Sequence, residues 1–354
     1  MKKLLAGLMA ALMALSLASC GGEGGSSAES SAESSVAESS EAESSAEESS
    51  AEESSAATAE LPTEDPSGNP ITIPDEVETI ISMAPSVTQT LIDLGLEDKL
   101  IAVDTNSAEY YDLGDLPAFD MMTPDTEQMI ALAPDLVFTS GMSSAGGSDP
   151  FEPLRDMGAC VADIPSASSI EVLKDDVLFV AQCVGMTEEG QALIAEAEAE
   201  IDAIAAIGET ITDRKTVLFE IASAPNIYSF GSGTFLDEMI TIIGADNVLA
   251  DQEGYVALTE EAAISANPDV ILTNVNYIDD PVGEILGRTG WENVTAVAEG
   301  AVYSIDTNAS SQPNLHIIDA LKQMAKAVYP EEYAEVEDPF AALMIFNPIA
   351  AVNP

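Results

Sequence analysis

Two patterns of hydrophobic and polar positions alternate along this chain and separate predicted strands from predicted helices. Short apolar runs, at 100–103, 136–139, 216–221 and 270–273, are typical of strands buried inside a parallel sheet. Between these runs, apolar residues recur every three or four positions, which is the spacing of one helical face. Strands and helices in this alternation predict parallel sheets covered by helices on both faces.

The longest helical pattern lies in the middle of the chain, at residues 187–207. One apolar stripe is formed by Leu193, Ala197, Ile201 and Ile204, and carboxylates occupy much of the remaining surface. We expect a helix about 30 Å long, with Thr187 as its N-cap. Because similar blocks of strand and helix lie on either side, the predicted fold class is α/β. It consists of two Rossmann-like lobes, each a parallel sheet flanked by helices, joined by one long backbone helix.

The two blocks share a signature that indicates an internal duplication. Residues 127–139 align with residues 261–273 without a gap. In both segments a Glu lies seven residues before a Pro, and Pro-Asp leads directly into a four-residue apolar strand. A shared signature of this length favours duplication over chance resemblance of two turns.

The beginning of the chain has a different character. Two Lys precede an apolar run that is too short to span a bilayer and has the layout of a secretory signal. The run ends in Leu-Ala-Ser-Cys, which resembles the lipobox of bacterial lipoproteins, and this implies cleavage before Cys20 and a diacylglycerol on its sulfur. The Ser, Ala and Glu repeats that follow hold too little apolar material to fold, so they predict a disordered, acidic tether. The predicted organisation is a signal peptide (1–19), Cys20 with the tether (20–66), an N-terminal lobe (67–185), the backbone helix (186–212), a C-terminal lobe (213–333) and a C-terminal tail (334–354).

Composition excludes several functions. The chain has 10 Lys and Arg against 63 Asp and Glu, a net charge of −53, which excludes nucleic acid as a partner. It has one His, no nucleophile elbow and no phosphate loop, so neither an enzyme active site nor a His-rich metal site is expected. Cys160 and Cys183 are read as buried thiols, with a disulfide as the open alternative.

A set of short motifs occurs in order between residues 77 and 333: Ile81 to Ser86, Leu94-Gly95, Ala133 to Val137, Gly233 to Asp237, Asn267 to Ile271, Trp291, Ala296 to Tyr303 and Ala327 to Pro330. With them the chain resembles the helical-backbone substrate-binding proteins of ABC importers for vitamin B12, ferric siderophores and haem. The resemblance implies a monomer outside the cytoplasm, lipid-anchored to the outer face of the bacterial cell membrane, with a ligand between its lobes. It also implies ABC permease and ATPase subunits as partners. A Glu on each lobe docks onto the permease in that family, and by position these are Glu127 and Glu261.

The cleft is expected at the carboxyl ends of the strands, where open α/β sheets bind ligands. The candidate ligand-binding residues in these loops are aromatic, sulfur-containing, amide or small: Ser82, Pro85, Tyr110, Tyr111, Met121, Met122, Met142, Tyr228, Phe230, Asn276, Tyr277 and Gln312. These loops are 82–86, 104–111, 121–123, 140–144, 223–233, 274–277 and 308–312. None of them contains Lys or Arg, so an anionic tricatecholate lacks the cations it needs.

A corrinoid or a ferric hydroxamate siderophore is therefore the expected ligand, and haem is a less favoured alternative. No resident cofactor is expected. His316 is read as a solvated helix residue, with axial haem ligation as the alternative, and Trp291 as a core residue. Two other classes stay open: a chelatase-like enzyme, and a surface sensor that keeps the fold without transport.

Overall fold

A computed structural model describes residues 61–144, 149–337, 339 and 340, and these begin with the N-terminal lobe. Its sheet is parallel, in the order β3-β2-β1-β4-β5, which is the order of the first five strands of a dinucleotide-binding fold. The strands are β1 (Ile80–Ser82), β2 (Leu100–Asp104), β3 (Ala118–Phe119), β4 (Leu136–Ser140) and β5 (Cys160–Ile164). The helices are α1 (Pro85–Asp93), α2 (Thr105–Tyr110), α3 (Thr126–Leu132), α4 (Glu152–Asp156) and α5 (Ile170–Cys183), with short 3-10 turns at Glu97–Lys99 and Gly141–Ser144.

The C-terminal lobe contains a second parallel sheet, in the order β11-β10-β6-β8. A separate antiparallel pair is formed by β7 and β9, and β7 lies where the sequence predicted only a loop. The strands are β6 (Thr216–Glu220), β7 (Ile227–Phe230), β8 (Asp246–Asn247), β9 (Tyr255–Leu258), β10 (Val270–Thr273) and β11 (Val302–Ser304). The helices are α7 (Phe235–Ile242), α8 (Glu260–Ala266), α9 (Pro281–Leu286), α10 (Thr295–Glu299), α11 (Thr307–Ser311) and α12 (Ile317–Val328).

The predicted backbone helix is present as α6, Thr187–Gly208. It packs against α5 of the first lobe and against α7 and α12 of the second. Ala197 and Ile204 are buried on the predicted stripe. The predicted cap is wrong: Met186 is the N-cap residue and makes no side-chain cap. Helix α5 ends at Cys183, and Gly185, with a φ of 75°, turns the chain just after it. The two helices therefore follow each other almost directly.

The shared signature of the two lobes corresponds to the same turn built twice. Helix α3 ends at Ala133 and helix α8 at Asn267, both left-handed with φ of 51° and 45°. The Asp after each Pro then ties the start of β4 or β10 to the neighbouring strand. Asp135 accepts bonds from the backbone and hydroxyl of Thr79, both at 2.9 Å, and Asp269 does the same with Thr216 at 2.8 and 2.7 Å. The Pro-Asp pair is therefore a connector between strands in each lobe.

Two boundaries differ from the sequence prediction. Residues 61–66, assigned to the tether, already belong to the folded part, because Asp65 is 5% exposed and accepts from the backbone N–H of Asp163 at 2.8 Å. Val336 and Phe340, assigned to the tail, pack against the C-terminal core. The signal peptide, Cys20, the tether up to residue 60 and residues 341–354 lie outside the described residues.

Cys160 and Cys183 are free thiols buried in the same cluster of the N-terminal lobe, so the disulfide alternative is not adopted. Burial raises the pKa of both thiols, which keeps them protonated. Of the helices in the described ranges, none is at once long and apolar enough to cross a membrane.

Candidate functional site

The carboxyl ends of the two sheets approach each other through Tyr111 and Gln312. Tyr111 follows β2 and α2 in the first lobe, and Gln312 follows β11 and α11 in the second. The Tyr111 hydroxyl donates to Oε1 of Gln312 at 2.8 Å. Because ligands of open α/β sheets bind at these ends, this edge is the candidate binding cleft.

Around this contact the structure brings together four of the predicted cleft residues. The Tyr111 hydroxyl also lies 3.3 Å from the carbonyl oxygen of Pro85, and the Tyr110 ring packs edge-on against Tyr111 with centroids 6.5 Å apart. Burial raises the pKa of Tyr111, so its hydroxyl stays neutral. Gln312 is 8% exposed, and its Nε2 has no hydrogen-bond partner among the described residues. A buried polar atom without a partner costs about 1–3 kcal/mol, so this amide has a donor available for a further hydrogen bond.

The C-terminal wall beside Gln312 is built from amides and hydroxyls. Asn274, directly after β10, donates from Nδ2 to the hydroxyls of Ser310 and Ser311, both at 3.0 Å. Its carbonyl oxygen accepts from Thr307 at 2.7 Å, which fixes α11 against the end of β10. The sequence indicated this loop through Asn276, but Asn276 is exposed and Asn274 is the buried member. The wall is neutral and offers both donors and acceptors.

A buried charged network lies further along the same edge, at the end of β6. Arg288 pairs bidentately with Glu220, the last residue of β6, through Nη1–Oε1 at 2.6 Å and Nη2–Oε2 at 2.8 Å. Its Nη2 also donates to Oε2 of Glu284 at 2.6 Å and its Nε to Oε1 at 3.0 Å. The Ser223 hydroxyl donates to Oε2 of Glu284 at 2.8 Å, and the backbone N–H of Ser223 donates to the hydroxyl of Tyr277 at 2.9 Å. Tyr277, a predicted cleft residue, is thereby joined to a group of charges.

The protonation of this network follows from burial and pairing. Burial raises the pKa of Glu220, while its bonds from Arg288 favour the ionised form. Partial burial alone would raise the pKa of Glu284, but bonds from Arg288 and Ser223 outweigh it and the pKa is lowered. Burial opposes the charge of Arg288, but the two carboxylates dominate and its pKa is raised. The lowered pKa of Glu284 keeps it ionised, so it adds a second carboxylate beside the bidentate pair of Glu220 and Arg288.

Sequence reasoning did not find Arg288 because it lies outside every predicted cleft loop. Helix α9 brings it back to the end of β6, where it stacks on Trp291 at 4.7 Å from the ring centroid. The one available signal was the spacing of Glu284 and Arg288, four residues apart, which pairs opposite charges on one helical face. Trp291 itself is fully buried and donates from Nε1 to Glu260 at 3.2 Å, so its assignment to the core is confirmed.

Three predicted cleft residues are placed in the interior, and for these the prediction is corrected. Phe230 is fully buried, with its ring 5.5 Å from Phe219 in the C-terminal core, because it belongs to a strand and not to a loop. Met121 is 7% exposed and packs in the cluster of the N-terminal lobe with Phe119. Ser82 is fully buried and hydrogen-bonded to Thr88 at 2.8 Å.

The other candidates keep some accessible surface. Met122, Met142 and Tyr228 are half-buried. Met142 lies in the 3-10 turn that follows β4, and Tyr228 packs against the C-terminal core from β7.

His316 joins the lobes through an ion pair. Its Nε2 lies 3.1 Å from Oδ1 of Asp93 at the end of α1, and its Nδ1 lies 3.4 Å from Oδ2 of Asp319. Hydrogen bonds to Asp319 and Asp93 raise the pKa of His316 to about 10. Both ring nitrogens therefore face carboxylates, so His316 is paired and not simply solvated as the sequence predicted.

Glu127 and Glu261 occupy equivalent places on the two lobes. Each is exposed in the first turn of its helix, α3 or α8, before the duplicated Pro-Asp turn. Neither takes part in the cleft contacts above. As for metals, the described part of the chain holds no group of three or more His, Cys, Asp or Glu that could bind an ion.

Comparison with known proteins gives consistent matches. A profile of the family described as "Periplasmic binding protein" matches residues 80–309. The uncharacterized ABC transporter substrate-binding lipoprotein YvrC of Bacillus subtilis is 29% identical over 274 residues, which is 77% of this chain and 86% of that protein. A cobalamin-binding protein of Halobacterium salinarum is 27% identical over 279 residues, 75% of this chain and 73% of its own. The solved structure of the periplasmic heme-binding protein RhuT of Roseiflexus is 25% identical with a TM-score of 0.64, covering 72% of this chain and 99% of that one.

Proposed function

Because the chain belongs to the periplasmic binding protein family, we propose that this substrate-binding protein of an ABC transporter captures a neutral metal chelate, a corrinoid or a ferric hydroxamate, and delivers it to the permease. The observation that carries the proposal is the meeting of two duplicated α/β lobes at the carboxyl ends of their sheets, through Tyr111 and Gln312. A ligand held there contacts both lobes at once. Its capture is therefore linked to the relative position of the surfaces that a permease reads.

The chemistry of the cleft supports a neutral ligand. Its walls present Tyr hydroxyls, amides and Ser hydroxyls, and Arg288 is neutralised by two carboxylates. The net charge of −53 repels polyanions at long range, and at physiological salt this still acts within about 8 Å of the surface. Corrinoids and ferric hydroxamates thus rank ahead of haem, whose two carboxylates would face an uncompensated field.

A ligand panel tests this proposal. The purified protein is titrated calorimetrically with cyanocobalamin, ferrichrome, haemin and ferric enterobactin. We expect tight binding of cyanocobalamin or ferrichrome, weaker binding of haemin and none of the trianion ferric enterobactin. Gln312→Ala should weaken binding by about tenfold, since one buried hydrogen bond is lost. Gln252→Ala, at an exposed position, should leave it unchanged. Binding of ferric enterobactin alone would refute the neutral ligand.

Docking to the permease is assigned to Glu127 and Glu261, on the basis of their matched, exposed positions. Replacing both with Ala should leave ligand affinity within a few-fold and abolish transport into cells. The matched control is Glu152→Ala with Glu299→Ala, which removes one exposed helical carboxylate from each lobe as well. Unchanged uptake by the first pair, or equal loss by the second, would refute the assignment.

Anchoring is assigned to Cys20. Metabolic labelling with a radioactive fatty acid should mark the wild-type protein and place it in the membrane fraction. Cys20→Ser should be unlabelled and released. Labelled protein in the Cys20→Ser variant would refute lipidation at this position.

The same experiments also test two other functions, a sensor without transport and an enzyme. A protein that binds its chelate but whose deletion leaves uptake unchanged would indicate a sensor. Chemical change of the bound chelate during incubation, followed by mass spectrometry, would indicate an enzyme.

A further inference from the structure

The charged network at the end of β6 lies at the carboxyl edge of the second sheet, where the candidate cleft is. Glu220 is the carboxyl-terminal residue of β6, so the guanidinium of Arg288 that pairs with it lies at the same edge of the sheet as Asn274 and Gln312. The two partners of Arg288 differ in environment. The Glu220 side chain is 0% exposed, whereas that of Glu284 is 31% exposed.

The accessible member of the network is therefore an anion. Glu220 alone would neutralise Arg288 and leave Nε without a partner, while Nη2 would keep its bonds to Glu220 and to the Ser223 hydroxyl, the latter at 3.2 Å. Glu284 covers Nε with both of its oxygens, at 3.0 and 3.2 Å, and adds a negative charge. Ser223 holds Glu284 in this position by a hydrogen bond. Tyr277, 42% exposed and bonded to the backbone of Ser223, marks where the network reaches the surface.

We propose that Glu284 is a specificity-determining residue of the cleft, which excludes anionic ligands by covering Arg288. This rests on the proposed function as a chelate-binding protein and names the residue that sets the charge of the chelate. An anionic ligand could pair with Arg288 only by displacing Glu284, and it would then meet the displaced carboxylate at close range. A neutral ligand has no such conflict.

A structural role for the same network makes the opposite prediction. If Glu284 only stabilised the loop between β6 and β7, removing its charge would weaken the binding of every ligand together. Exclusion of anions requires that affinity for anions increase while affinity for neutral ligands is kept. The sign of the change therefore separates the two roles.

The test compares Glu284→Gln with the wild type in calorimetric titrations. Ferric enterobactin is the anionic probe, and cyanocobalamin and ferrichrome are the neutral probes. The substitution keeps the shape and the acceptor oxygen but removes the charge. We expect affinity for the anion to rise by about tenfold or more, the effect of one charge at short range in a partly buried site. Affinity for the neutral probes should stay within about threefold.

Two control variants and a second readout accompany it. Glu284→Asp retains the charge and should keep the wild-type preference. Glu299→Gln removes an exposed charge from the same lobe and should not improve anion binding. The only Trp of the chain stacks on Arg288, so its fluorescence reports whether the network is intact in each variant. Citrate, followed by this fluorescence, is an anionic probe that does not depend on the identity of the chelate.

The outcomes are distinct. A gain for ferric enterobactin or citrate in Glu284→Gln alone supports the proposal. An equal gain in Glu299→Gln, or no gain for either anion with the fluorescence unchanged, overturns it. If no chelate binds any variant but Glu284→Gln gains citrate binding, the proposed ligand class is wrong and the role of Glu284 stands.

Discussion

At the scale of single residues, the two equivalent helix ends before the Pro-Asp turns differ in how well their left-handed backbone conformation is stabilised. Ala133 and Asn267 both end a helix in the left-handed conformation, which costs an L-residue about 1–2 kcal/mol but is tolerated better by Asn. Ala133 is exposed. Asn267 exchanges hydrogen bonds with Thr295, both at 2.9 Å, and so ties its helix to α10. The backbone strain at Ala133 is therefore not offset by side-chain bonds, whereas the strain at Asn267 is offset by its hydrogen bonds to Thr295.

Substitution by Gly should have opposite effects on the two copies. Ala133→Gly removes the strain and should raise the free energy of unfolding by about 0.5–1 kcal/mol, net of the entropy that Gly adds to the unfolded chain. Asn267→Gly also relieves strain but loses two hydrogen bonds to Thr295, and it should lower the free energy of unfolding by about 1 kcal/mol. Urea unfolding of both variants measures this, and changes of the same sign would contradict the explanation.

Asp176 should make stability depend on pH near neutrality. Burial, with a smaller contribution from Asp175, raises its folded-state pKa to about 7, above the unfolded value of about 4. The protonated form is favoured in the folded state, so stability is full below the unfolded pKa and falls as pH rises through 7. Asp176→Asn should therefore raise the melting temperature at pH 8 by several degrees and by little at pH 4. Asp175→Asn, at an exposed position, is the control, and an equal gain at both pH values for Asp176→Asn would refute this.

At the scale of elements, the backbone helix α6 depends on close contact at its two glycines. A Cβ on Gly190 would lie 2.4 Å from Cβ of Ala181 in α5, and one on Gly208 would lie 2.1 Å from the carbonyl oxygen of Ile242 in α7. Tyr333 reinforces the second contact, since its hydroxyl lies 3.2 Å from the carbonyl oxygen of Ile204 and 3.1 Å from that of Ile243. The helix is thus seated on both lobes by backbone approach as well as by its apolar stripe.

Gly208→Ala should destabilise the protein although Ala is the better helix former. Propensity favours Ala by about 1 kcal/mol, but the clash is with backbone, which yields less easily than a side chain, and we expect a net loss of about 1–3 kcal/mol. Ala203→Gly, at an exposed position of the same helix, should cost about 1 kcal/mol through propensity alone. Chemical denaturation measures both, and stabilisation by Gly208→Ala would show that the helix end adjusts freely.

At the scale of the whole molecule, the lobes are connected by α6 and also by Tyr111–Gln312 and Asp93–His316. The second contact is the one that titrates. The folded pKa of His316 is about 10, against about 6.5 when unfolded, so its contribution is full below about 6.5 and is lost as pH rises through 10. Gln89 donates to the same Oδ1 of Asp93 at 2.8 Å and keeps that carboxylate in place.

Asp93→Asn should accordingly reduce stability more at pH 6 than at pH 10.5. The difference between wild type and variant is the quantity to compare, because Lys and Tyr titration affects both proteins equally. Asp98→Asn, exposed beyond the same helix, should show no such trend. A loss that is the same at both pH values would mean that the inter-lobe ion pair does not contribute.

The sequence by itself determined the two α/β lobes, the helix between them and the duplicated Pro-Asp turn, because hydrophobic periodicity and turn chemistry are local properties. It also placed Tyr111 and Gln312 at the cleft, since the carboxyl ends of parallel strands meet at one edge whatever the details of packing. Only the tertiary structure decided which candidates are core: Phe230 and Met121 look like binding residues in a loop but are buried, because burial is set by elements distant in the chain. It likewise brought Arg288 to the end of β6 and His316 to Asp93, which are 68 and 223 residues apart in sequence. The electrostatic character of the cleft depends on such distant pairs, because a charge is masked or exposed by what folds against it.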